Sequence, residues 1–427
     1  MTCKTLRAAL AFAFALALPA VALAQHFEAV DNIPWPRYGV YPAYPPEPVR
    51  DTEFWAHAGA LHDNNIFRLS KDADRRAILG TDDGSDDVLR LGVGARTQQR
   101  IVGRQSIRLE ARGDYYFFNH FNDLNHFAYG LRGEWLWELT NDVNGSLGYE
   151  RRTRLIDLAA VQRPVKDIII EDHGFVNGAW RVGPSMRLRG ALDATRGKHE
   201  DTSLNAANSR ALTATGGVDY VTAIGNSVGV EYRVTQANYP VTEPVGGVLV
   251  DNEYNERELA GVTTLVAGPS ITGTGRLGYT QRRHKQFPER DFSGTTWRGT
   301  FLWTPLQKTG LEFSLYHEPR SIIDIAASYV LVTGATFGPR WAPTEKLAFY
   351  AFLVRERQEY KGDPNLILTP GAQQRDETVR ALRVGGGWEP QRFVNLSLGV
   401  DHGTRTSNVL LRDYVYTTVM ANAEFRF

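Results

Sequence analysis

Cysteine is almost missing from this 427-residue chain, the one example being Cys3. With no second thiol there is no disulfide framework and no thiolate metal site. Lysine is also scarce: eight residues against 40 arginines. Acidic and basic residues number 48 each, and this balance argues against a nucleic-acid-binding protein. Long apolar runs are missing beyond residue 24, the longest being stretches such as Leu347 to Val354, too short for a membrane-crossing helix. His-Glu-x-x-His spacing, a Gly-x-Ser-x-Gly elbow and a phosphate-binding loop are all absent. An enzyme is therefore not expected, nor a cofactor or a bound metal.

The first 24 residues read as a secretory signal. Lys4 and Arg7 precede an apolar run from Ala8 to Leu18, and Ala22-Leu23-Ala24 supplies small residues before Gln25. Its removal would take Cys3 and leave acids in slight excess. Residues 25–52 hold Pro34, Pro36, Pro42, Pro45, Pro46 and Pro48, a composition that suits an extended periplasmic tether rather than helix or central strand.

From residue 53 to 427 one theme recurs: strands of about ten residues that alternate apolar and polar, then a turn. Val228, Val230, Tyr232 and Val234 oppose Glu231, Arg233 and Thr235; Trp297, Phe301 and Trp303 oppose Arg298 and Thr300. Tight turns are expected near Gln98–Arg100, Asn141-Asp142, Gly183-Pro184, Gly225-Asn226, Gly268-Pro269, Pro305–Lys308, Ala342–Thr344 and Glu389–Gln391. Longer polar stretches, such as 63–87, 154–167, 197–209, 239–255, 283–293 and 360–377, fall between them. Short turns at one end and long loops at the other predict an all-β fold, a transmembrane antiparallel β-barrel of the bacterial outer membrane. The segments number about 18 strands, with 16 as the alternative because 54–61 and 323–332 are less regular. Tryptophans beside the short turns (Trp135, Trp137, Trp180, Trp303, Trp341, Trp388) suit an interfacial girdle.

The last strand alternates to a terminal aromatic, with Phe425 and Phe427 on its apolar face. This resembles the signal that outer-membrane barrels present to their insertion machinery, which with the lipid bilayer is an expected partner.

The polar face is rich in arginine. Arg90, Arg96, Arg108, Glu110, Arg112, Arg132, Glu134, Arg187, Arg189, Glu231, Arg233, Arg276, Arg298 and Arg383 are expected to line a hydrated lumen. Guanidinium forks hold carboxylates and hydroxyls in fixed geometry, so such a lumen would favour anionic or hydroxyl-rich cargo. Acids are expected mainly in loops, too few on the wall to pair every arginine. The group Asp82, Asp83, Asp86 and Asp87 reads as a solvated loop rather than a cation site.

The stretch His62-Asp63-Asn64-Asn65-Ile66-Phe67-Arg68-Leu69-Ser70 resembles the opening of EpsL-type barrels of bacterial exopolysaccharide systems. Trp135-Leu136-Trp137-Glu138-Leu139 and Gly148-Tyr149-Glu150-Arg151-Arg152 add to the likeness. The resemblance implies export of an extracellular polysaccharide, with periplasmic and inner-membrane export components as partners. The alternative is a general or substrate-selective uptake porin, which requires a loop long enough to fold inward; 63–87 or 239–255 would serve.

Overall fold

The computed structural model describes residues 52–268, 270–320, 329–369 and 371–427. The expected signal peptide and all of the Pro-rich segment except Thr52 lie outside them. The described residues form a closed antiparallel barrel of 18 strands. In chain order these are β1 (Glu53–Asp63), β2 (Asp86–Val102), β3 (Gln105–Phe118), β4 (His126–Glu138), β5 (Val143–Leu155), β6 (Ile168–Val182), β7 (Met186–His199), β8 (Ser209–Val221), β9 (Ser227–Asn238), β10 (Tyr254–Ala267), β11 (Ile271–His284), β12 (Phe292–Leu306), β13 (Thr309–Arg320), β14 (Val330–Trp341), β15 (Leu347–Glu359), β16 (Asp376–Gln391), β17 (Val394–Ser407) and β18 (Tyr414–Arg426). Each pairs with its sequence neighbours, and β1 also pairs with β18, from Trp55↔Arg426 to Asp63↔Thr418. Closure leaves no free edge, which a sheet in hydrocarbon requires.

Period-2 alternation determines which face meets lipid. On β2, Leu89, Leu91 and Val93 are exposed while Arg90 and Arg96 turn to the interior; on β16, Leu382 and Val384 are exposed and Arg383 is buried. The same holds around the ring, so the chain is an outer-membrane barrel with an apolar outer band. Trp135, Trp180, Trp303, Trp341 and Trp388 are exposed on that face, all towards the short-turn end. Both barrel termini lie there too, where the Phe54 and Phe427 backbones exchange hydrogen bonds at 3.2 and 2.7 Å.

Two turns sit later than their sequence suggests. β2 runs through Gln98, Gln99 and Arg100 to Val102, and β16 runs through Glu389 to Gln391. Register shifts at Arg100/Val102 and Trp388/Gln391 mark irregular pairing just before each turn. Polar residues that look like turn formers there are strand ends emerging from the lipid band. The irregular segment 54–61 is a full strand. Its interior face carries Trp55, an apolar residue where the pattern leads one to expect a polar one, and Trp55 lies over its cross-strand partner Gly94, where a Cβ would collide with the indole. Tyr416 covers Gly403 in the same way. Large lumen aromatics thus rest on glycines of the neighbouring strand.

Candidate solute path

The interior wall is a belt of cross-strand ion pairs. Arg90 meets Asp114 at 2.7 Å, and His57 from β1 reaches the same carboxylate at 2.6 Å. Arg96 pairs with Glu53 at 2.7 Å. Arg108 and Arg132 share Glu134 at 3.3 and 3.0 Å, and Arg132 also reaches Glu150 at 3.7 Å. Arg298 is paired with Glu318, and Arg383 with Asp401 at 2.8 Å. At the seam Arg426 pairs with Glu424 at 2.7 Å and lies 3.8 Å from Glu53. All fourteen residues expected on the wall occupy the interior-facing register, opposite the exposed apolar face. What the structure corrects is the expectation that wall acids are scarce. Asp114, Asp219, Glu258, Glu318 and Asp401 alternate into the lumen with the arginines, and nearly every wall arginine has a carboxylate within reach. Placing guanidinium and carboxylate together removes most of the cost of taking either from bulk water.

Two features depart from simple pairing. From β7 to β11, four guanidiniums surround three carboxylates. Arg187 and Arg189 both reach Asp219 at 2.7 Å, and Arg189 also meets Glu231 at 2.7 Å. Arg276 holds Glu231 and Glu258, each at 2.6 Å, while Arg233 touches the same two at 3.4 and 3.5 Å. The acids are sealed, with Asp219 and Glu231 side chains 2% exposed, whereas Arg187 remains 38% and Arg233 30% exposed. The cluster therefore presents surplus positive charge to the lumen. Second, Arg112 is exposed on the interior face and has no ion pair or hydrogen bond among the described residues.

A loop from β1 to β2 enters the mouth. Ile66, Phe67 and Leu69 are buried against Phe118, Leu124, Leu155, Ile156, Leu158 and Leu204, which belong to the next strands and loops. Arg68 lies over the Tyr416 ring at 3.7 Å and donates two 2.8 Å hydrogen bonds to Asp63, which also accepts from the Asn65 N–H at 2.8 Å and the Thr418 hydroxyl at 2.6 Å. Burial alone would lower the Arg68 pKa, but the charge and hydrogen bonds of Asp63 more than offset it and hold the group above its ordinary value. Arg68 and Gln162 both have left-handed backbones (φ 55° and 52°), and the Gln162 amide donates to the Arg68 carbonyl at 2.7 Å. Arg412, next to left-handed Leu411, donates to the Gln162 side chain at 3.1 Å. Asp157, which caps the turn before Gln162, is driven up in pKa by burial against the pull of the Ala159 N–H and Arg154.

On the opposite side of the mouth, buried Arg290 donates to the Gly362 carbonyl at 2.9 Å and to Asn252 at 2.7 Å. The 239–253 loop there includes a short hairpin, Glu243–Val245 with Val248–Val250. Sequence reasoning placed loops at these positions but missed Arg68, Gln162 and Arg290 as their fastenings. The cluster at 82–87 is occupied with backbone: Asp86 accepts from the Asn119, His120 and Phe121 N–H groups at 2.9 Å, and Asp83 from Ser85 at 2.8 Å.

Residues 255–427, the segment from β10 to β18, match the family described as "Putative beta-barrel porin 2". No curated protein matches the chain in sequence. Among solved structures, OccK2 (OpdF) of Pseudomonas aeruginosa superposes with a TM-score of 0.51 at 10% identity, over 89% of this chain and 99% of that one. OpdK of Pseudomonas aeruginosa with vanillate and a BenF-like porin from Pseudomonas fluorescens Pf-5 each give 0.49 at 9% identity, over 89% of this chain and 100% of theirs. At these identities the likeness is one of fold. The motifs at 62–70 and 135–152 that resemble exopolysaccharide barrels lie outside the matched segment, so the family match does not bear on that resemblance. What stands is a porin-like barrel of the outer membrane.

Proposed function

We propose that the chain is a substrate-selective uptake porin that passes small anionic solutes, in preference to a conduit exporting polysaccharide. The observation that carries this reading is the inward loop: Ile66 to Leu69 are packed within the mouth and fastened to Tyr416 and Asp63 on the wall. A packed loop narrows a lumen to the size of small solutes, whereas a polymer would need that cluster to leave. The surplus guanidinium charge of Arg187 and Arg233, with Arg112 lacking a partner among the described residues, supports a preference for carboxylates. Weak contacts with several arginines permit entry without trapping the solute.

The test is reversal potential in a planar bilayer under a salt gradient, with liposome swelling in small carboxylates, neutral sugars and oligosaccharides. Wild type should be anion-selective and admit carboxylates faster than neutral sugars of equal size. Arg112→Gln with Arg187→Gln and Arg233→Gln should reduce the anion-to-cation permeability ratio several-fold. Unchanged selectivity would remove these arginines from the path. Loss of surface polysaccharide with accumulation inside the cell on deleting the protein would overturn uptake in favour of export.

A further inference from the structure

The lipid-facing side carries arginines that neither the fold nor a solute path uses. Just above the apolar band, at the loop end, Arg196 on β7 stands opposite Arg210 on β8. Arg355 on β15 stands opposite Arg380 on β16. All four are exposed, and none has an ion pair or hydrogen bond among the described residues. Like charges on directly opposed positions destabilise a sheet unless something of opposite sign lies between them. Nearby acids are already engaged. Asp172, opposite Arg196 on β6, is held by Arg151 at 3.0 Å and by the Tyr149 hydroxyl at 2.6 Å. Asp376 is taken by Arg357 at 2.5 Å.

Directly below each arginine pair, on the same outward face, lies an apolar pair: Ala194↔Leu212 under the first and Leu353↔Leu382 under the second. Leu212, Leu353 and Leu382 are all exposed. Charge above and hydrocarbon below is the order of groups along a phosphorylated lipid. The two pairs lie eight strands apart in an eighteen-strand ring, so they are on nearly opposite sides of the barrel.

We propose that these are two binding sites for a phosphorylated lipid of the outer leaflet, with one phosphate bridging each arginine pair and acyl chains lying on the leucines beneath. Two guanidinium forks can each direct paired N–H donors at phosphate oxygens, and the anion turns a repulsive cross-strand pair into an attractive triad. The sites face lipid, so they stand independently of what the lumen transports.

The test is native mass spectrometry of the full, delipidated barrel titrated with bisphosphorylated lipid A, the same lipid after phosphatase treatment, and inorganic phosphate. Wild type should bind two lipid molecules, and both should be lost on dephosphorylation. Arg355→Gln with Arg380→Gln, and separately Arg196→Gln with Arg210→Gln, should each remove one lipid and weaken that site at least tenfold. The corresponding lysine double variants, which keep charge but not the fork, should restore part of the affinity. A heat-dependent gel shift confirms that each variant has folded, and all these side chains are exposed. Unchanged stoichiometry in both glutamine variants would overturn the proposal, as would equal binding of dephosphorylated lipid or phosphate alone competing as well as lipid A. A dimer that forms without lipid and disappears in these variants would assign the arginines to a second copy instead.

Discussion

Asp219 shows how a single carboxylate organises this wall. Its side chain is 2% exposed and accepts from Arg187 and Arg189, whose own alternatives are Glu231 or lumen water. Asp219→Asn leaves two guanidiniums facing a neutral amide, at a cost of about 1.5–3 kcal/mol for lost charge-assisted hydrogen bonds. Urea unfolding of the barrel in lipid should report that loss. Arg187→Gln, which is half in water and leaves Asp219 its bond to Arg189, should cost markedly less. Equal losses would mean that the wall does not depend on sealed acids. The facing of Arg187 and Arg189 was legible in the sequence because Met186, Leu188 and Leu192 alternate with them. Their partners were not legible. Pairing depends on register, Arg187↔Asp219 and Arg189↔Gly217, and a slip of one residue reverses every face. The wall acids were discounted for the same reason: Asp219 and Glu258 look isolated until β7 to β11 are aligned.

At the scale of elements, the strands could be read closely and the loops could not. Strands announce themselves by period 2, whereas the contacts within loops are set by distant partners. Arg68 is fastened by Gln162, and Gln162 by Arg412. Three left-handed backbones, at Arg68, Gln162 and Leu411, meet in this latch. Such conformations cost of order 1–3 kcal/mol each and persist where surrounding contacts over-determine them. The hydrophobic cluster under Phe67 supplies part of that constraint, including an edge-on contact with Phe121 at 4.7 Å between ring centres. Gln162→Ala removes both side-chain hydrogen bonds while leaving the cluster untouched. Backbone amides at 64–70 should then exchange with solvent several-fold faster, and single-channel current should become noisier with little change in mean conductance. Phe67→Ala should do more, since truncating a buried Phe costs about 3–5 kcal/mol and should release the loop from the mouth. Unaltered exchange at 64–70 in Gln162→Ala would show that the cluster alone holds the loop.

For the whole molecule, closure depends on joining the first strand to the last. The seam pairs Trp55–Asp63 with Thr418–Arg426, a contact between the most distant parts of the barrel sequence, so its loop-closure entropy must be overcome before the pairing contributes. At its short-turn end the two backbone bonds between Phe54 and Phe427 complete the seam. At its loop end the Asn64 N–H donates to the Thr417 carbonyl at 3.2 Å, and the Asn64 side chain accepts from the Thr417 N–H at 2.8 Å. The Phe427 side chain takes no part in holding this together: it is 75% exposed, outside the barrel. Phe427→Ala keeps both backbone bonds and buries nothing less, so the finished barrel should unfold within about 0.5 kcal/mol of wild type, as surface substitutions do. If the terminal aromatic is read by the insertion machinery, as its resemblance to that signal implies, the same substitution should lower the fraction of newly made chains that reach the heat-modifiable, folded form in cells several-fold. Stability and assembly are thus separable in one variant. Unfolding in urea measures the first, and the gel shift of membranes sampled shortly after synthesis measures the second. Normal assembly with normal stability would leave the side chain without a role in insertion. A loss of stability as large as the loss of assembly would place its effect in the seam itself.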